Sequence, residues 1–207
     1  MKIAISAAET SGDLLGSKLV ASLKKQDPTL VIEGLAGEKM LDAGCKQLWD
    51  QKLVNVMGFS EVLKKLPSLM RLRKTIIDHF SNAQPDVFIG VDAPDFNFVI
   101  EKKLKDKGIK TVHFISPSVW AWRQSRIKKI KQSTDLVLCV FPFEVDFYKK
   151  NQQRALFVGH PLAESLTPRK NHAAGKSVLL MPGSREGEVK KIIARNAIGC
   201  KVDGRAR

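Results

Sequence analysis

The chain has 207 residues, 43% of them apolar and 27% charged, enough apolar side chain for a packed core, which excludes wholesale disorder. Thirty-five basic residues against 21 acidic ones leave a formal charge of +14; this favours anionic partners such as phosphorylated sugars, anionic lipid or nucleic acid without choosing among them. No apolar run reaches the roughly 18 residues of a membrane-spanning helix, and the opening MKIAISAAETSGD turns polar too early for a secretory signal, so a cytoplasmic protein is expected.

In chain order, nearly continuous apolar runs at 2–7, 29–36, 86–91, 110–115, 135–141, 155–158 and 177–181 are predicted as buried parallel strands, because a strand covered on both faces does not alternate. Helical spacing falls between several of them, at Leu14, Leu15, Leu19 and Leu23 and again at Val62, Leu66, Leu69, Met70, Ile76, Ile77 and Phe80. Alternating strands and helices predict an α/β fold with a doubly wound parallel sheet. The polar, Pro- and Gly-containing segment 167–176 reads as a linker between an N-terminal domain at 1–166 and the start of a second, incomplete one at 177–207. Cys45, Cys139 and Cys200 are widely spaced and odd in number, which suits reduced thiols and neither a disulfide framework nor a zinc site.

In open parallel sheets ligands bind beyond the carboxyl ends of the strands, so the residues just after each run are the candidates for chemistry. After the first run, Ser11 and Gly12 of AETSGD allow close approach of a ligand to a helix start, although Ser11 and Asp13 serve equally as helix caps. After the third, DAPDF places Asp92 and Asp95 at a strand exit, where a carboxylate with a tuned pKa is a general base. The plainer reading has Asp92 accepting loop amides and Asp95 capping the next helix. The fourth run exits into SPSVWAWRQSR, where Trp120 and Trp122 offer faces to a sugar or alkyl chain and Arg123 and Arg126 offer forks to phosphate; one of the two tryptophans is expected in the core.

Glu144 in FPFE and His160 in GHP are polar residues at the next two exits, each either a contact or structural. The last run ends in PGSREGE, where backbone amides, Ser184 and Arg185 suit a diphosphate. AAGKS at 173–177 only imitates a phosphate-binding loop, since Lys170 stands where its first glycine belongs. Basic residues cluster twice, at Lys64, Lys65, Arg71, Arg73 and Lys74 and at Arg123, Arg126, Lys128, Lys129 and Lys131. With Val56, Met57, Phe59, Leu63 and Leu69 the first cluster suits an anionic membrane surface, or else a solvated helix face. No nucleic-acid reader motif accompanies the charge, so nucleic acid is not expected.

Taken together, AETSGDLLG, VMGFSEVL, PDVFIGVDAPDFN, GIKTVHFISPSVWAWRQ, STDLVLCVFPFE, VGHPLAES and LMPGSREGEV resemble lipid A disaccharide synthase, an inverting glycosyltransferase family, in order over residues 1 to 191. The resemblance implies the GT-B architecture: a Rossmann-like N-terminal domain on the acceptor side, then a Rossmann-like donor domain. It implies transfer of 2,3-diacylglucosamine from its UDP donor to 2,3-diacylglucosamine 1-phosphate, giving the β-1,6 disaccharide phosphate and UDP without a metal or other cofactor. It also implies a peripheral place on the cytoplasmic face of the inner membrane, with a homo-oligomer among the expected partners. By resemblance Asp92 is the base and Arg185 offsets charge on the leaving diphosphate, while Ser11, Gly12, Asp95, Trp120, Arg123 and Ser184 match substrate-side positions. Family members are longer, so a chain of this length is expected to hold an acceptor half-site with little or no turnover of its own. The competing expectation is a noncatalytic basic module that docks on membrane or nucleic acid.

Overall fold

The computed structural model describes residues 1–54, 59–121, 124–163, 166 and 189, with only the backbone described at 59–65. The chain divides into two compact units, Met1–Thr167 and Pro168–Arg207, and every element below belongs to the first. The run predicted at 177–181 lies outside the described residues.

The first unit runs β1 (Lys2–Ala7), α1 (Thr10–Gln26), β2 (Val31–Ala36), α2 (Glu38–Asp42), β3 (Lys46–Asp50), α3 (Phe59–Ala83), β4 (Val87–Val91), α4 (Pro94–Lys105), β5 (Lys110–Phe114), α5 (Ile127–Ser133), β6 (Leu136–Cys139), α6 (Pro142–Lys150) and β7 (Ala155–Phe157). Its seven strands form one sheet in the order β3-β2-β1-β4-β5-β6-β7, every pairing parallel. The α/β, Rossmann-like, doubly wound sheet expected from the sequence is therefore present. Six of its strands fall on predicted runs; β3 does not. KQLWD is a strand on the rim of the sheet, with one exposed residue and four half-buried ones, so its polar residues face water and no continuous apolar run marks it.

β1 shows how the layers form. Ile3, Ile5 and Ala7 point to one face, where Val20 of α1 and Met40 of α2 join them. Ala4 points to the other, among Ile76 and Phe80 of α3, Phe88 of β4 and Ile100 and Leu104 of α4. A third cluster, Phe98, Val119, Ile130, Val137, Cys139 and Tyr148, seals the β6 side. Cys45 and Cys139 are buried free thiols, and burial pushes both up to about 12, which keeps them protonated and unreactive.

The strand order reverses between β1 and β4: the chain leaves β1 for β2 on one side and returns to β4 on the other. The loops after these two neighbouring strands diverge to opposite faces and leave a crevice at their carboxyl ends, the usual ligand position in an open sheet.

Candidate active site

Asp92 is the first residue beyond β4, at this crevice. Its amide donates to the Phe114 carbonyl at 2.9 Å, prolonging the β4–β5 ladder by one bond. The backbone then turns sharply, with Asp92 at φ +51° and Ala93 at φ +43°, two successive left-handed residues without a glycine. Such conformations persist only where the surroundings hold them. Here Asn97 of α4, wholly buried, does so: its Nδ2 reaches the carbonyls of Asp92 (2.9 Å), Val91 (3.2 Å) and Ser6 (3.3 Å), and its Oδ1 accepts the Ser6 hydroxyl at 2.8 Å. Asn97 thus ties β1 to β4 beneath the crevice. In the sequence its signal is an amide amid the apolar residues of PDFNFVI, a position with no expected role.

The turn leaves the Asp92 side chain half-buried and 3.5 Å from the Ser11 hydroxyl at the start of α1. A contact that long does not saturate a carboxylate, so Asp92 keeps acceptor capacity for an incoming hydroxyl. Gly12 faces the sheet. A β-carbon there would lie 3.3 Å from the Val91 carbonyl, so the small residue lets α1 start against the end of β4. Asp13 caps a helix, though not its own: buried, it accepts the amides of Gly37 (2.8 Å), Lys39 (3.1 Å) and Met40 (3.2 Å) at the start of α2. α1 itself begins at Glu9 without a side-chain cap bond.

Asp95 is exposed in the first turn of α4, whose N-cap is Ala93. The capping role considered for Asp95 is therefore not the one it has, and both its carboxylate oxygens face Arg126 Nη2, at 3.2 and 3.3 Å.

One strand further along the same edge, beyond β5, Trp120 is 41% exposed and packs edge-on against Phe143, beyond β6, at 4.8 Å, while Phe143 stacks on Phe141 at 5.6 Å. Glu144 lies beneath, buried, accepting the Phe141 amide at 3.1 Å. Burial raises its pKa, against hydrogen bonds from Phe141, Ser116, Val140 and Trp120 that lower it. His160 is half-buried, 5.9 Å from the Phe141 ring, and its Nδ1 accepts the Leu162 amide at 3.2 Å. Trp122, Arg123, Ser184 and Arg185 lie outside the described residues.

Among the described residues no three His, Cys, Asp or Glu side chains gather as a metal site. A cavity of about 350 Å³ between Val145, Lys149, Gln153 and Ala155 sits at the amino end of β7, the opposite end of the sheet from Asp92. No helix among the described residues is long and apolar enough to cross a membrane.

Comparison with known proteins adds to this geometry. A solved structure of the glycosyltransferase of kitacinnamycin shares the fold, with a TM-score of 0.50 at 12% identity over 87% of this chain and 55% of that one. Lipid-A-disaccharide synthase from Pseudoalteromonas translucida is 48% identical over 199 residues, 91% of this chain and 52% of the relative. The enzyme of that name from Methylobacillus flagellatus is 45% identical over 200 residues, 92% of this chain and 53% of the relative. The chain spans about half the length of the curated relatives it matches. The profile of the lipid-A-disaccharide synthetase family matches residues 3–198, and with the parallel sheet and its switch-point carboxylate in view, the chain belongs to that family.

Proposed function

We propose that the Met1–Thr167 unit is the acceptor side of an inverting glycosyltransferase that moves 2,3-diacylglucosamine from a UDP donor to the 6-hydroxyl of 2,3-diacylglucosamine 1-phosphate. The observation that carries this reading is Asp92: a half-buried carboxylate with spare acceptor capacity, at the switch point of a parallel sheet, in a left-handed turn braced by Asn97. In the reaction the acceptor O6 attacks the anomeric carbon while Asp92 takes the hydroxyl proton. The O6–C1 bond forms on the face opposite the departing diphosphate, the C1–O bond to UDP breaks, and inversion gives the β linkage. Ser11 orients the acceptor hydroxyl, and Gly12 keeps α1 close enough for it to do so. The family resemblance assigns Trp120 and Arg123 to substrate contacts, and Ser184 and Arg185 to the leaving diphosphate, whose charge an arginine offsets.

The substrates are lipids, and α3 offers a surface suited to a peripheral place on the cytoplasmic face of an anionic membrane. Leu66 and Met70 are exposed there, 44% and 60%, beside exposed Arg71 and Lys74, an apolar strip with basic neighbours.

The test is turnover of UDP-2,3-diacylglucosamine. With the chain extended by the remaining half of the Pseudoalteromonas translucida relative, Asp92→Asn lowers kcat by about 10²- to 10⁴-fold while acceptor binding persists. Unchanged turnover in that variant overturns Asp92 as the base, and no turnover by the unsubstituted extended chain favours a noncatalytic docking module. The 207-residue chain alone is expected to show little or no turnover.

A further inference from the structure

The two basic stretches of the sequence meet at one residue. Arg73 of α3 and Arg126 of the 3-10 turn Gln124–Arg126 lie 22 and 31 residues from Asp95 along the chain, yet both guanidinium groups reach it. Arg73 Nη2 donates to the Asp95 carbonyl at 2.7 Å, and its guanidinium carbon sits 5.0 Å over the Phe96 ring. Its Nε is buried with no hydrogen-bond partner among the described residues. Burial works against the Arg73 charge, and the Asp95 carboxylate supports it. Arg126 reaches Asp95 through a single nitrogen, so the pair is not the two-nitrogen fork of a strong arginine–carboxylate contact. The Asp95 carboxylate is 73% exposed, where an ion pair contributes little to folding.

Arg126 is held by the exposed Asp95 carboxylate and Arg73 by the Asp95 backbone carbonyl, and together the two guanidinium groups have more donors than Asp95 fills. A phosphate monoester, with three terminal oxygens and nearly two charges, matches them better. The position also fits the reaction proposed above, on which this inference rests. Asp95 is three residues beyond Asp92, and on a hexose 1-phosphate the phosphate on C1 and the hydroxymethyl group on C5 flank the ring oxygen, so the two groups are near neighbours on one sugar.

We propose that Arg73 and Arg126 form the seat for the phosphate monoester of the acceptor sugar, and that Asp95 is the internal counter-anion which the phosphate displaces rather than a ligand of the sugar. A monoanion competes poorly with Asp95 for this seat, so the arrangement selects a dianionic end group.

Titration calorimetry of the 207-residue chain with glucosamine 1-phosphate tests it, with glucosamine and inorganic phosphate as separate arms. Saturable binding of glucosamine 1-phosphate is expected, tighter than either control. Arg126→Gln weakens it about tenfold, Arg73→Lys weakens it severalfold because an ammonium cannot fork, and Asp95→Asn tightens it about threefold. The variants' thermal melts report folding separately. No saturable binding by the parent chain, an Arg126→Gln effect under twofold, or weaker binding in Asp95→Asn overturns the proposal. So does inorganic phosphate bound as tightly as the sugar phosphate, or Arg126→Gln reducing attachment to phosphatidylglycerol vesicles while sugar phosphate binding stays intact. None of these readouts needs transfer to occur: unchanged turnover in Asp92→Asn sinks Asp92 as the base and leaves the seat, whereas arginine-independent binding sinks the seat and leaves the reaction.

Discussion

Asp92 and Glu101 are nine positions apart, one just before α4 and one within it, and they live in opposite environments. Glu101 is wholly buried and fully engaged: Oε1 pairs with His113 Nδ1 at 2.7 Å and Oε2 accepts the Thr134 hydroxyl at 2.5 Å. The His113 ring packs on Phe98 at 4.5 Å, so α4, β5 and the end of α5 are joined around one carboxylate. Asp92 is half-buried, and among the described residues its side-chain hydrogen bond is a 3.5 Å approach from Ser11. A buried carboxylate must be saturated or it destabilises the fold; a carboxylate that is to receive a proton must not be. The same stretch of chain supplies both because the β4–α4 turn delivers one to the crevice and the helix delivers the other to the core.

The sharpest way to break this contrast is to exchange the consequences. Asp92→Asn is expected to abolish nearly all turnover in the extended protein while shifting the melting temperature little, since the carboxylate has few contacts to lose. Glu101→Ala should do the reverse, destabilising by about 3 kcal/mol because His113 Nδ1 loses its partner in the core and the Thr134 hydroxyl keeps only a 3.3 Å contact with Ser133; a urea-denaturation change below about 1 kcal/mol would contradict the structural role. Gly90→Ala tests the same network from the sheet side. Its β-carbon would overlap the Glu101 carboxylate and lie 2.9 Å from Asn97 Cβ, at a cost of about 2 kcal/mol. That cost should shrink in the Glu101→Ala background, and strict additivity would show the two sites to be uncoupled.

Smaller effects sharpen the comparison with two other buried acids. Asp13→Ala removes the acceptor for three α2 amides and is expected to cost about 1–2 kcal/mol, read from chemical denaturation. Glu144 concerns pH. Burial raises its pKa above the unfolded value, so its contribution to stability is complete below the unfolded pKa and is lost as pH rises through the folded one. Glu144→Gln should flatten that decline and leave the variant relatively more stable at neutral pH. A melting temperature whose pH dependence matches the parent's would rule this out.

Six of the seven strands were legible in the sequence because burial on both faces writes a continuous apolar run, and the positions just beyond those runs follow from counting. β3 escaped because a half-covered rim strand carries no such run. Asp13 was legible as a cap and illegible as the cap of α2, since the helix it serves begins 25 residues later. Asn97 was not legible because its partner Ser6 lies 91 residues away and meets it only through the adjacency of β1 and β4.

By itself, then, the sequence determined the layered α/β class, the family resemblance and the placing of Asp92 after a buried strand. Each of these rests on short-range pattern. The tertiary structure alone decided that the crevice opens between β1 and β4, that Asp92 faces Ser11 across it, and that Arg73 and Arg126 converge on Asp95. Those contacts span 22 to 81 residues, and which side chains meet over such distances depends on strand order, a property of the whole sheet.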